Sequence, residues 1–147
     1  MTYTLGLSAY YHDSAAAIVR DGIVIAAAQE ERFTRRKHER RFPANSVNYC
    51  LEEAFIESSE LDAVVFYEDP ATKLHRVLDS AVAGPNLGPP RTILGEEVWF
   101  DAVIAKQLGL EVPCYVTEHH LAHAASAYYP SPFGRAAVLT LDGVRCV

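Results

Sequence analysis

An α/β fold, a mixed sheet with helices packed on it, is predicted by three observations. Residues 2 to 29 read as consecutive strands, the chain beyond Pro43 alternates helical and strand-like segments, and the composition can fill a core. With 147 residues, 50% hydrophobic and 22% charged, a single domain of this size buries roughly 70% of its unfolded surface. The same balance excludes intrinsic disorder, which needs low hydrophobicity and high net charge.

Tyr3, Leu5 and Leu7 alternate with Thr4, Gly6 and Ser8, the period of a pleated strand. Ala15 to Val19 is small and apolar, and Asp21-Gly22 then marks a hairpin turn into Ile23 to Ala28. Pro43 opens a helical segment in which Val47, Cys50, Leu51, Ala54 and Phe55 share one face. Asn45 or Ser46 is placed to cap it. Asp62 to Tyr67 is a short buried-type strand, followed by a weaker helix through Leu74, Val77, Leu78 and Val82. Gly84 to Arg91 (GPNLGPPR) is a loop. A helix over 96–108 buries Val98, Trp99, Ala102, Ile104 and Ala105, and Pro113 to Thr117 is a strand. Glu118 to Tyr129 is a helix, and Ala136 to Leu141 forms a final strand ending at Asp142-Gly143. The order is β-β-β-α-β-α-α-β-α-β.

Thirteen basic residues stand against nineteen acidic ones, a net −6, which disfavours a nucleic-acid or anionic-membrane binder. No apolar run approaches the roughly 18 residues of a membrane span, and the start lacks the basic, apolar pattern of a signal peptide. Three cysteines (Cys50, Cys114, Cys146) without a CxxC pair read as reduced thiols of a cytoplasmic protein. P-loop, GxGxxG and GxSxG patterns are absent from the sequence.

Three constellations carry chemistry. In Glu118-His119-His120-Leu121-Ala122-His123, His119 and His123 are four apart and project from one helix face, as two ligands of one divalent metal must. His120 stands about 100° round the helix. Asp142, at the end of an apolar strand, is a candidate carboxylate ligand. The bland alternative is a histidine-rich helix facing solvent. In Tyr10-Tyr11-His12-Asp13-Ser14, between the first two strands, His12 is either a general base oriented by Asp13 or a loop histidine with no catalytic role. Six of the thirteen basic residues fall within 32–41, leaving seven basic against eighteen acidic, −11, in the rest of the chain. That stretch reads as a solvated loop, as a site for a small anion or, third, as a nucleic-acid contact.

Taken in order, LGLSAYYHDSAAAIVRDG, AAAQEERFTRRKHERRFP and EHHLAHAASAYYPSPF followed by AAVLTLDGV resemble the O-carbamoyltransferases of the nodulation-protein and antibiotic-tailoring type, over residues 3 to 144. The resemblance implies the first half of an actin-like, sugar-kinase-like ATPase domain, with residues 1–147 an N-terminal subdomain incomplete at its C-terminus. It implies an enzyme that uses ATP and carbamoyl phosphate to make a carbamoyl-adenylate and passes the carbamoyl group to a hydroxyl of a small-molecule acceptor. By the same resemblance His12 is the base, Lys37 contacts a phosphate, and His119, His123 and Asp142 hold a divalent metal. Iron is the expected metal, with zinc or manganese also suiting the donors. Family members are several times longer, so the isolated chain is expected to be inactive. The alternative is a stand-alone metal- or nucleotide-binding module that works with a partner chain supplying the missing half. Neither reading involves nucleic acid or a membrane.

Overall fold

The computed structural model describes residues 1–72, 75, 100–109 and 111–141. Its centre is a five-stranded mixed sheet built from β1 (Tyr3–Ser8), β2 (Ala15–Arg20), β3 (Ile23–Gln29), β4 (Ala63–Phe66) and β5 (Cys114–Val116). The spatial order is β3-β2-β1-β4-β5. The first three strands form the expected antiparallel meander, while β4 and β5 extend it in parallel with β1. Asp21 and Gly22 both take positive φ, 49° and 85°. That is the backbone a two-residue primed turn demands and the reason Asp-Gly sits there. The Asp21 carboxylate also accepts from the Thr2 amide at 2.8 Å.

The strand period of two separates the sheet's faces. Leu5, Leu7, Ala16, Ile18, Ala26, Val64 and Phe66 point to one side and are buried. That face is covered by α2 (Ala44–Ala54), through Val47, Cys50 and Ala54, and by α3 (Phe100–Leu108), through Phe100 and Ile104. The Phe66 and Phe100 rings stack 4.5 Å apart, within the range of favourable aromatic pairs. The other face carries small residues, among them Gly6, Ala17, Ala27 and Val65. With Ala122, Ala125 and Ser126 of α4 (His119–Tyr128) they line an apolar cleft of about 620 Å³.

Several local expectations change. A single helical turn, α1 (Glu31–Thr34), interrupts the basic stretch and ends at Arg35 in the left-handed region. Phe55 leaves the apolar face of α2. It is the left-handed residue that ends the helix and is 93% exposed. Asn45 and Ser46 lie inside α2 and do not cap it. Ala102 is exposed, and Phe100 takes its place in the core. Ala136 to Leu141 is not a strand: it pairs with no described strand, and Leu139 and Leu141 are more than four-fifths exposed. An extended apolar run becomes a strand only where a neighbour supplies ladder hydrogen bonds. The helix through Leu74, Val77, Leu78 and Val82, the loop over 84–91, residues Val98 and Trp99, Asp142 and Cys146 lie outside the described residues. No described helix is long and apolar enough to cross a membrane.

Candidate functional site

Because β1, β4 and β5 are parallel, the segments leaving them emerge at one edge of the sheet. The loop 9–14 follows β1, Tyr67 follows β4, and Thr117 leads from β5 into α4. The carboxyl edge of parallel strands is where α/β sheets place their ligands. Two of the three expected constellations lie on these segments. The third, the basic stretch, is drawn against the first.

His119 and His123 sit on the first turns of α4 with Nε2 atoms 3.1 Å apart and rings nearly perpendicular, at 80°. Two nitrogens each about 2.0–2.1 Å from one ion, subtending about 90–110°, stand roughly 2.8–3.4 Å apart. The pair therefore fits a shared metal. Without one, the contact requires one Nε2 to donate and the other to accept. Tyr67 lies edge-on to the His119 ring at 5.5 Å. The His120 ring lies 6.0 Å from that of His119, tilted by 42°. Among the described residues no cluster of three or more His, Cys, Asp or Glu side chains is gathered for a metal. The two converging nitrogens of His119 and His123 are a pair and not a larger set among the described residues.

The loop between β1 and β2 is held in an uncommon backbone shape, with Tyr10 and Asp13 both at positive φ. Two backbone hydrogen bonds hold it against residues 38–40: Tyr10 donates to the Arg40 carbonyl at 2.7 Å and Ser14 to the Glu39 carbonyl at 2.9 Å. His12 Nδ1 lies 2.8 Å from Asp13 Oδ2, and His38 Nδ1 lies 3.1 Å from Asp13 Oδ1. The His12 hydrogen bond, chiefly, and that of His38 hold the Asp13 carboxyl below the usual carboxylate range against an opposing effect of burial. An ionised carboxylate only accepts, so Nδ1 of His12 carries a proton in this contact, and Nε2 is the ring nitrogen outside it. Lys37 is exposed on the turn that brings His38 to Asp13.

Glu30 is the buried anchor of this arrangement, 3% exposed. One carboxylate oxygen accepts from the Asn45 backbone and side-chain amides at 3.3 and 2.6 Å. The other accepts from the Ser46 amide and hydroxyl, both at 2.9 Å. It thus satisfies the free amides at the start of α2, where a negative charge is also favoured by the helix dipole. Its own amide donates to the Ser14 carbonyl at 2.8 Å. The cap comes from a strand end 15 residues earlier, which local capping rules do not search. His38 was equally hidden, its only signal being its place within a basic loop.

A family model described as Carbamoyltransferase N-terminus matches residues 3–147. The uncharacterized protein sll1178 of Synechocystis sp. is 47% identical over 158 residues, covering 98% of this chain and 26% of the relative. Nodulation protein NolNO of Sinorhizobium fredii is 38% identical over 140 residues, covering 91% of this chain and 20% of the relative. The chain thus spans about a quarter or less of these relatives. YeaZ from Pseudomonas aeruginosa superposes with a TM-score of 0.46 at 18% identity, over 88% of this chain and 49% of that one.

Proposed function

Since the chain belongs to the carbamoyltransferase N-terminus family, we propose that it forms one wall of the active site of an ATP- and carbamoyl-phosphate-dependent enzyme. In this reading it is the first half of an actin-like domain. The enzyme activates the carbamoyl group as a carbamoyl-adenylate and transfers it to a hydroxyl of a small-molecule acceptor. The observation that carries the reading is the imidazole of His12, oriented by Asp13 at 2.8 Å with Nε2 left as the acceptor. In the transfer step the acceptor oxygen bonds to the carbamoyl carbon, the bond from that carbon to the adenylate oxygen breaks, and AMP leaves. The hydroxyl proton passes to Nε2 of His12. A base placed this way contributes typically 10²–10⁴-fold.

His119 and His123 would hold the metal, with Asp142 as the expected carboxylate. Iron, zinc and manganese all accept such donors. When bound, the metal supplies positive charge for nucleotide phosphates. Lys37, exposed beside His38, would add a second positive charge toward a phosphate. The small-residue cleft beneath α4 offers an apolar surface at the same edge of the sheet. Because the chain spans only about a quarter of its relatives, the remaining contacts come from other parts of the enzyme, and the isolated chain turns over no substrate.

The test is a transfer assay with ATP, carbamoyl phosphate and a panel of hydroxyl acceptors, on the isolated chain and on the complete enzyme. The expected result is no turnover by the chain alone, and in the complete enzyme a fall of at least about 100-fold in His12→Gln. Turnover unchanged by His12→Gln would remove His12 as the base.

A further inference from the structure

Asp13 is met by two imidazoles, one on each carboxylate oxygen, at 2.8 and 3.1 Å. The second imidazole comes from 25 residues along the chain. His38 is brought there by a positive-φ turn and by the two backbone hydrogen bonds that hold residues 39 and 40 against the β1–β2 loop. The His12 and His38 rings are 6.5 Å apart and nearly perpendicular, at 83°. Neither is buried: the side chains are 53% and 73% exposed. An exposed carboxylate with one partner rotates between its rotamers, and with it goes the tautomer it imposes on that partner.

We propose that His38 is a positioning residue: its Nδ1–H occupies Oδ1 of Asp13 and thereby fixes Oδ2 on Nδ1 of His12, so that His12 presents an unprotonated Nε2. The proposal deepens the reading of His12 as the base and rests on it for its functional meaning. The carboxylate is ionised and accepts only, so both contacts require Nδ1–H. A free histidine side chain favours the opposite tautomer, with the proton on Nε2, so the loop must hold His12 against that preference. Among the described ion pairs, His38 is the second partner of Asp13. The Tyr11 ring lies 4.4 Å from that of His12. The Glu39 carboxylate is turned to the Arg40 and Arg41 amides at 3.0 and 3.2 Å. Lys37 and Arg40, beside His38 in the chain, are exposed.

The test reads the tautomer directly, by ¹⁵N–¹H correlation of the imidazole nitrogens in this chain at pH 8. In the unaltered chain His12 is expected to be mainly Nδ1–H. In His38→Ala the Nε2–H fraction of His12 should rise at least threefold, with the backbone amide spectrum otherwise retained because the replaced ring is exposed. In His38→Asn, whose side-chain amide nitrogen takes the place of Nδ1 and still donates to Oδ1, most of the Nδ1–H form should return. A His12 tautomer unmoved by His38→Ala overturns the proposal, as does a His38→Asn that behaves like His38→Ala. The measurement needs no turnover, so its failure is separate from failure of the base reading. A coupled tautomer together with transfer indifferent to His12→Gln would overturn the base, and with it the purpose of the coupling.

Discussion

The loop that carries His12 and the helix that carries His119 and His123 stand at the same edge of the sheet, yet they are held very differently. Around the loop, Tyr10, Ser14 and Glu30 make backbone hydrogen bonds across three segments, and Asp13 draws two histidines together. Glu30 ties all of this to the start of α2. α4 buries none of its residues completely, Leu121 on it is 59% exposed, and the apolar segment that follows lies open. The chain builds the surroundings of His12 from its own parts. Around His119 and His123 it builds two converging nitrogens.

The first test breaks that comparison at the His119 and His123 pair. Titration calorimetry with Fe²⁺ or Zn²⁺ should find binding that falls more than tenfold in His119→Ala and equally in His123→Ala. Removing even an outer-shell partner of a metal ligand costs 10–100-fold in affinity. His120→Ala should leave binding unchanged, because His120 stands about 100° round the helix from His119. Equal losses from all three substitutions would mean diffuse association with a histidine-rich surface.

Next comes a test of how much the loop side depends on one buried group. Glu30→Ala removes an acceptor of four hydrogen bonds and strands the first amides of α2. Urea unfolding should show a loss of about 2–4 kcal/mol, since hydrogen bonds to a charged group are worth about 1.5–3 kcal/mol each and their losses do not add fully. A change below about 0.5 kcal/mol would show that the cap is dispensable.

The same contrast governs what was legible in the sequence. The strand meander, the Asp21-Gly22 turn, the core face of α2 and the four-residue spacing of His119 and His123 are all local patterns, and a period or a dipeptide encodes each of them. Glu30 and His38 act across 15 and 25 residues through side-chain hydrogen bonds, for which no spacing rule exists. Phe55 reads as apolar helix face until the backbone turns left-handed beneath it. Ala136 to Leu141 has the composition of a strand, but a strand is a relation between two segments, and composition describes one.

The smallest expected effect sharpens the comparison at Asp13. Its carboxyl is held below the usual range first by the His12 hydrogen bond, opposed by burial and aided by His38. A carboxyl whose value is depressed on folding contributes stability that is present above its unfolded value, near 3.9. That contribution is lost as pH falls through the lower folded value. Urea melts taken from pH 6 down to pH 2 should therefore show a stability decrement below about pH 4 that is reduced in Asp13→Asn. With the side chain 36% exposed, solvent screening keeps the difference below about 1 kcal/mol. A decrement of the same size in both proteins would place the acid sensitivity elsewhere, with Glu39, likewise depressed by the Arg41 and Arg40 amides, as the next carboxylate to replace.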